Sequence, residues 1–249
     1  MALQREFKTQ GDFLFRNRSY LPLLFLATGL GVFIYGEYIE PFHIEEGVDY
    51  NEFICLGLSL IGLFIRVHTV GHSAKNTSGR NTKKGQIADE INTTGMYSLL
   101  RHPLYLGNFF MWLGVAMLAE NLWFTIAFIL LYWLYYERIM YAEENFLIEK
   151  FGDSYLNWAS KTPAFIPAFK NYTKAKYPFC LKKVLKKEKN GLAAIFLLFW
   201  LFDWVGAAVE NRSIQFEVNF WFYAAVASTV IYLVLKIMKK RNMLKESNI

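Results

Sequence analysis

Only two cysteines and four histidines occur in 249 residues. Cys55 lies in an apolar block and Cys180 in a basic linker, and neither has metal-ligand spacing, so neither a disulfide framework nor a zinc site is expected. Glycine motifs are equally sparse. Gly29-x-Gly31 lacks a third glycine and a preceding strand, so it is not a dinucleotide fingerprint, and no phosphate loop or nucleophile elbow occurs. A nucleotide-like cofactor would therefore have to be held without a Rossmann fold. The chain also lacks a repeat of fixed period and a separate soluble domain. Charged residues make up only 19% of it.

What fills the chain instead is apolar: 54% of residues are hydrophobic and 18% aromatic. Blocks of about 20 residues with few charges indicate membrane spans. Four full blocks are present, Tyr20–Gly36, Phe53–Val70, Leu192–Val209 and Val218–Ile237. Two shorter ones, Leu104–Ala119 and Leu122–Tyr136, are separated by Glu120-Asn121 and read as a tight helical hairpin, tilted or sheltered by other helices. The expected fold class is all-α, a polytopic helical membrane bundle of about six spans.

Six spans put both termini on one side, and the charges agree. The N-terminal arm, 66–103, 137–191 and the tail from Lys236 together hold 26 of the 27 Lys and Arg residues, leaving only Arg212 opposite. The other loops carry Glu37, Glu40, Glu45, Glu46, Asp49, Glu52, Glu120, Glu210 and Glu217. The positive-inside rule places the basic side, with both termini, in the cytoplasm. The first apolar block follows a charged arm and is too long for a signal core, so no cleaved leader is expected. The net charge of +6 lies beside membrane segments, which makes anionic lipid headgroups, not nucleic acid, the expected partner.

Between the blocks, 71–93 is a polar loop long enough to carry function, and 137–151 continues the Leu122–Tyr136 block out of the bilayer as helix. Residues 152–167, with Gly152, Pro163, Pro167, Tyr155, Trp158 and Phe165, have an interfacial composition. The Lys-rich stretch 168–190 is expected to lie along the headgroups. The organisation is a core over 1–167, a basic interfacial linker over 168–190, and two additional spans over 191–249 with a basic tail.

Two polar clusters stand out at the cytoplasmic boundary. The first is Arg101-His102-Pro103-x-Tyr105. Proline suits the first turn of a helix, where its missing N–H would be unpaired anyway, and a cation and an imidazole just ahead lie at the helix's positive end. Taken alone, Arg101 is an ordinary topology anchor and His102 a hydrogen-bonded cap. The second is Glu137-Arg138…Glu143-Glu144…Phe151-Gly152-x-x-Tyr155. Successive helix residues are about 100° apart, so Glu143 and Glu144 cannot face one pocket equally. Glu137, Tyr141, Glu144 and Ile148 share one face, Glu143 lies with Met140 and Leu147, and Arg138 with Ala142 and Asn145. Taken alone, this is a solvated helix leaving the bilayer.

Together the two clusters carry a specific signal. Tyr97-x-x-x-Arg101-His102-Pro103-x-Tyr105-x-Gly107, an apolar hairpin, then Glu143-Glu144-x-x-Leu147-x-x-x-Phe151-Gly152-x-x-Tyr155 and Pro163 resembles the integral-membrane methyltransferases that include isoprenylcysteine carboxyl methyltransferase and the phospholipid methyltransferases. The resemblance covers about residues 88–167, a third of the chain. It implies S-adenosylmethionine as cofactor, held at the cytoplasmic mouth of the bundle by Tyr97, His102, Pro103, Leu104 and Tyr105, with the backbone of Glu90, Ile91 and Asn92 closing the pocket. By similarity Glu143 pairs with the cofactor's ammonium group, and Arg101 suits its carboxylate. The implied substrate is a lipid or isoprenoid that enters sideways between helices. A carboxylate or phosphate acceptor needs no base, whereas an amine would use Glu144 as proton acceptor. The family's substrate arginine stands four residues before the double glutamate. Here that position is Ile139, and Arg138, one place away, is the substrate-site expectation.

Membrane sterol reductases share an Arg-His-x-x-Tyr-x-Gly stretch and bind a nicotinamide cofactor, but they have more spans ahead of it. That reading, and a non-enzymatic membrane binding module, are the alternatives. Elsewhere, Asp203 inside an apolar block is either functional or hydrogen-bonded near the outer interface. Arg66, His68 and His72 are expected chiefly as anchors. Of the aromatic stripe from Trp123 to Tyr136, only Tyr132–Tyr136 lie near enough to the mouth to touch a ligand.

Overall fold

The computed structural model describes residues 2–18, 20–39, 50–75, 77, 81–82, 85–214 and 216–244. The acidic residues Glu40, Glu45, Glu46 and Asp49 lie outside them. Among the described residues the regular structure is helical apart from a short ribbon in which β1 (Asn81–Thr82) pairs antiparallel with β2 (Gly85–Gln86), Asn81 opposite Gln86.

Each apolar block is a helix. The blocks correspond in order to α2 (Leu21–Ile39), α3 (Tyr50–His72), α5 (Pro103–Met117), α6 (Leu122–Phe151), α8 (Leu181–Glu210) and α9 (Phe220–Lys240). By length and composition four of them, α3, α6, α8 and α9, can cross a membrane. A fifth span is obtained if α1 (Ala2–Asn17) and α2 are taken as one bent pair. At 15 residues α5 rises only about 22 Å, short of a hydrocarbon core of roughly 30 Å. Its shelter comes from α3, against which it packs along its length.

That packing depends on small residues. A Cβ on Gly114 would stand 2.2 Å from Ser59 Oγ and 2.3 Å from the Cys55 carbonyl, and one on Gly62 would stand 2.4 Å from the Gly107 carbonyl. The Ser59 hydroxyl uses the proximity to donate to the Met111 carbonyl at 3.0 Å. In lipid, where apolar surface alone gives helices no reason to associate, such close backbone approach supplies the attraction.

Two clusters fill the interior. Phe33, Cys55, Leu63, Val115, Ile195, Phe199, Phe202 and Trp221 join α2, α3, α5, α8 and α9. Phe15, Tyr105, Phe128, Tyr132, Tyr135, Tyr136, Ile139 and Met140 join α1, α5 and α6. Leu23, Leu24, Phe64, Leu130, Leu131, Val230 and Val234 face outward, as lipid-facing side chains do.

Two elements differ from expectation. The charged N-terminal arm is helix α1, which packs on the projecting half of α6 and sends Phe15 into the core. The stretch 168–190 is only in part a linker: α8 begins at Leu181 and runs unbroken into the apolar block, because Leu181–Asn190 holds good helix formers and neither glycine nor proline. The 30-residue α6 and α8 each rise about 45 Å, so a third of each projects beyond a bilayer core. Asn121 and Asn219 cap α6 and α9 by accepting from the N–H groups of Phe124 and Phe222. Asp203 accepts both of its contacts from the Asn219 amide, at 2.7 and 3.0 Å, so it fixes the α8–α9 turn.

Candidate active site

Pro103 opens α5, and the chain just before it is locked by its backbone. Arg101 N–H donates to the Pro163 carbonyl (2.8 Å), His102 N–H to Ala164 (3.1 Å), and Ala168 N–H to Leu99 (2.9 Å). Residues 163–168 thus run beside 99–102 as a strap. The reversal that brings them back is made at Gly152, whose φ of +54° between α6 and α7 (Asp153–Ala159) is the left-handed region that only glycine enters at no cost.

Inside this frame the two polar clusters meet. His102 is buried, with Nε2 2.8 Å from Glu144 Oε1 and Nδ1 3.7 Å from Glu143 Oε2. The Tyr105 hydroxyl donates to Glu143 Oε2 at 2.7 Å, and its ring stacks on the imidazole with centroids 5.5 Å apart. Tyr132 supports the arrangement by donating to the Tyr105 carbonyl at 2.8 Å. Burial alone would disfavour the charged imidazole, but the bonds to and charges of Glu143 and Glu144 outweigh it and raise the His102 pKa. The imidazolium, with a proton on each nitrogen, is the form that serves both carboxylates.

A narrow cavity opens beside Glu143, with about 50 Å³ of free volume. Of the expected cofactor residues, Glu90, Ile91, Asn92, Tyr97, Arg101, His102 and Glu143 line it. Asn92 uses its side chain structurally, accepting from Ala74 N–H at 2.9 Å and donating to Thr77 Oγ1 at 2.8 Å. Lys150 holds the neighbouring Ala88 carbonyl, and Tyr177 and Lys176 hold Glu90. Two further wall residues were quoted in the motif region without a role. Tyr155 Oη and Trp158 Nε1 are buried, line the cavity and have no hydrogen-bond partner among the described residues. Phe15 also lines it, and nothing in a charged N-terminal arm signals that.

The remaining expected residues lie elsewhere. Pro103 is buried at the head of α5, while Leu104 and Tyr105 face a second, larger cavity of about 780 Å³ between α2, α3, α5 and α8. Arg101 is largely engaged: Nε donates to Glu144 (2.8 Å) and Nη1 to the Ala159 and Thr162 carbonyls (2.9 and 3.0 Å). Glu144, the expected proton acceptor, lies outside the lining of both cavities, and its Oε1 accepts from both Arg101 and His102. Arg138 is not brought to the site. One residue off the Ile139 position turns it about 100° around α6, where its guanidinium lies 3.5 Å over the Phe7 ring of α1 and pairs with Glu137. Arg66, expected as an anchor, instead lines the larger cavity and forms a buried two-point pair with Glu188 at 2.7 and 2.9 Å.

Comparison with known proteins fits this geometry. Residues 52–154, from α3 to the start of α7, match the family model of phospholipid methyltransferases. The chain is similar to protein-S-isoprenylcysteine O-methyltransferase of Schizosaccharomyces pombe, 34% identical over 113 residues, covering 45% of this chain and 48% of that protein. The same enzyme of Saccharomyces cerevisiae is 32% identical over 116 residues, covering 45% and 47%. The cobalt-zinc-cadmium resistance protein CzcN of Cupriavidus metallidurans is 33% identical over 121 residues, covering 48% and 52%. The chain therefore spans about half the length of the curated relatives it matches. No solved structure matches it. Residues 52–154 of this chain are thus similar in sequence to the phospholipid methyltransferases, and the matched stretch to the isoprenylcysteine O-methyltransferases.

Proposed function

We propose that this protein is an integral-membrane methyltransferase that moves a methyl group from S-adenosylmethionine to the polar head of a lipid or isoprenoid-type substrate at the cytoplasmic face. The observation that carries the proposal is the junction of the two cavities at Tyr105. That residue walls the large, partly apolar cavity and hydrogen-bonds Glu143 of the narrow one. A donor and an acceptor held on either side of it come within reach of each other.

The narrow cavity suits the cofactor in kind. Glu143 would meet the ammonium group, residues 90–92 would face the nucleoside, and Tyr155 Oη and Trp158 Nε1, without a partner among the described residues, would donate to it. Arg101 offers the carboxylate its Nη2 end, since Nε and Nη1 are engaged. Tyr97 brings an aromatic face to the same cavity, where a sulfonium is attracted by the ring quadrupole. The free volume of about 50 Å³ is smaller than a nucleoside, so binding requires the walls of the cavity to move apart.

The cofactor supplies an electrophilic methyl on a sulfonium. An acceptor's lone pair would form the new bond to that carbon as the carbon–sulfur bond breaks, the electron pair leaving with a neutral thioether. The protein's part is alignment and exclusion of water. With Glu144 committed to Arg101 and His102, the site favours a carboxylate or phosphate acceptor, already ionised, over an amine that must lose a proton.

The test is a titration of the purified full-length protein in detergent with S-adenosylmethionine, its demethylated product and NADPH. Micromolar binding of the first two, abolished by Glu143→Ala, is the expected result. Binding of NADPH alone would replace this reading with a reductase, and binding of none would leave a non-catalytic membrane module.

A further inference from the structure

One wall of the narrow cavity is built differently from the rest. Glu143, Phe146 and Tyr155 reach it from helices, and Arg101 and His102 are locked by their backbone to residues 163 and 164. Residues 87–92 belong to no helix or strand, and among the described residues no backbone–backbone hydrogen bond fixes them. Side chains tie them instead. Lys150 of α6, the helix that carries Glu143 into the cavity, donates to the Ala88 carbonyl. Tyr177 and Lys176 donate to the Glu90 carboxylate, and the Asn92 amide bonds to Ala74 and Thr77.

Behind this wall lies space. A further cavity of about 260 Å³ is lined by Ser73, Tyr177, Cys180 and Lys183 together with Asp89 and Glu90. Glu90 lines both cavities, Asp89 the one behind, and Ile87, Ala88, Ile91 and Asn92 the narrow one, so the segment is the partition between them. The far side of the rear cavity is held firmly. Buried Lys183 of α8 donates to the Ser73 carbonyl, the Ser73 hydroxyl and the Ala74 carbonyl, and Cys180 N–H donates to the Gly71 carbonyl at 2.9 Å. The room behind the partition is therefore kept open by contacts that do not involve the partition.

The narrow cavity alone is smaller than a nucleoside, whereas the two volumes together reach the lower end of the roughly 300–1,000 Å³ usual for ligand sites. Moving a helix to gain that room disturbs a close-packed core. Moving the partition breaks the single hydrogen bond from Lys150 and carries Glu90 into a space that its partner Tyr177 already lines. Resting on the methyltransferase reading, we infer that 87–91 is a movable partition, latched to α6 by Lys150, which the methyl donor pushes into the rear cavity and keeps there. The Asn92 amide, anchored to Ala74 and Thr77, is its fixed end. The two cavities then fill alternately, and the rear one is an inhibitory site: a group lodged in it blocks the partition and excludes the donor.

Cys180, in the lining of the rear cavity, serves as the reporter, and Cys55 is buried in the bundle core. Full-length protein in neutral detergent is treated with N-ethylmaleimide, and labelling of Cys180 is timed by peptide mass spectrometry. Saturating S-adenosylmethionine or its demethylated product, each shown to bind by isothermal titration, is expected to slow that labelling at least fivefold. Reciprocally, protein labelled at Cys180 is expected to bind either ligand at least tenfold more weakly, whereas Cys180→Ala given the same treatment binds like the untreated parent. Lys150→Met, which keeps the stem and loses the donor, is expected to bind both ligands at least threefold more tightly and to label more slowly without them. An unchanged labelling rate in the liganded protein overturns the proposal, as does full affinity after labelling, or unchanged or weaker binding by a folded Lys150→Met. The first two measurements need no change at Lys150, so they decide the matter even where that variant does not fold. Each of these failures occurs in a protein that binds the cofactor and so leaves the methyltransferase reading intact. A parent protein that binds neither ligand refutes that reading and this proposal with it.

Discussion

Glu143→Gln isolates one charge at the centre of the account. The amide is isosteric and keeps an acceptor for the Tyr105 hydroxyl, now 2.7 Å from Glu143 Oε2, so the side chain stays in place. What disappears is the negative charge facing the narrow cavity and the His102 ring 3.7 Å away. A hydrogen bond to a charged group contributes about 1.5–3 kcal/mol. At roughly 1.4 kcal/mol per tenfold, the cofactor's dissociation constant should rise about 10- to 100-fold. The same rise is expected for the demethylated product, which carries the same ammonium group. Isothermal titration in detergent measures both. Thermal unfolding should change little, because the neutral variant still satisfies Tyr105. A dissociation constant within twofold of the parent's, for a folded variant, would refute the placement of Glu143 at the cofactor.

Other outcomes follow from the same contacts. The raised pKa of His102 means that its charged form is favoured by folding, so its stabilising contribution is whole below about pH 6.5 and is lost as pH climbs through the higher folded value; thermal scans should show a decline over that range that His102→Gln flattens, and parallel slopes would contradict the coupling. Gly114→Ala drives a methyl into Ser59 and Cys55, at an overpacking cost of about 1–3 kcal/mol, read as a melting temperature lower by several degrees; an unchanged melting temperature would contradict the α3–α5 contact. Arg138→Ala removes a cation–π contact of about 0.5–1 kcal/mol from the α1–α6 interface and should leave cofactor affinity within twofold; a large loss of affinity would return Arg138 to the site.

The parts of this molecule legible in the sequence are those set by local pattern. Apolar blocks found their helices because hydrophobic length is a property of consecutive residues, and the hairpin turn at Asn121 carries its own cap. Glu143 and Glu144 separated as a 100° step requires, one toward the cavity and one toward Arg101. Arg138, one residue from the Ile139 position and so on a different face of the helix, lies over the Phe7 ring. What the sequence could not offer were pairings across long separations. Glu188 in a run of lysines gave no sign that it meets Arg66, 122 residues earlier, and the large cavity exists only where α2, α3, α5 and α8 converge. The N-terminal arm read as charged and polar, yet Phe15 and Gly11 on its inner face let it seat against α6, where a Cβ on Gly11 would stand 2.1 Å from the Arg138 carbonyl.

The central claim is transfer of a methyl group to a lipid, and methyl-labelled S-adenosylmethionine tests it most directly. Purified protein is incubated with labelled cofactor and a total lipid extract, and the organic phase is counted and examined by mass spectrometry. The account predicts label and a one-methyl mass increment in an anionic lipid, both absent with Glu143→Gln at cofactor concentrations near the parent's dissociation constant. Unlabelled lipids from a preparation that binds the cofactor, or a two-hydrogen mass increment that requires NADPH, would contradict it.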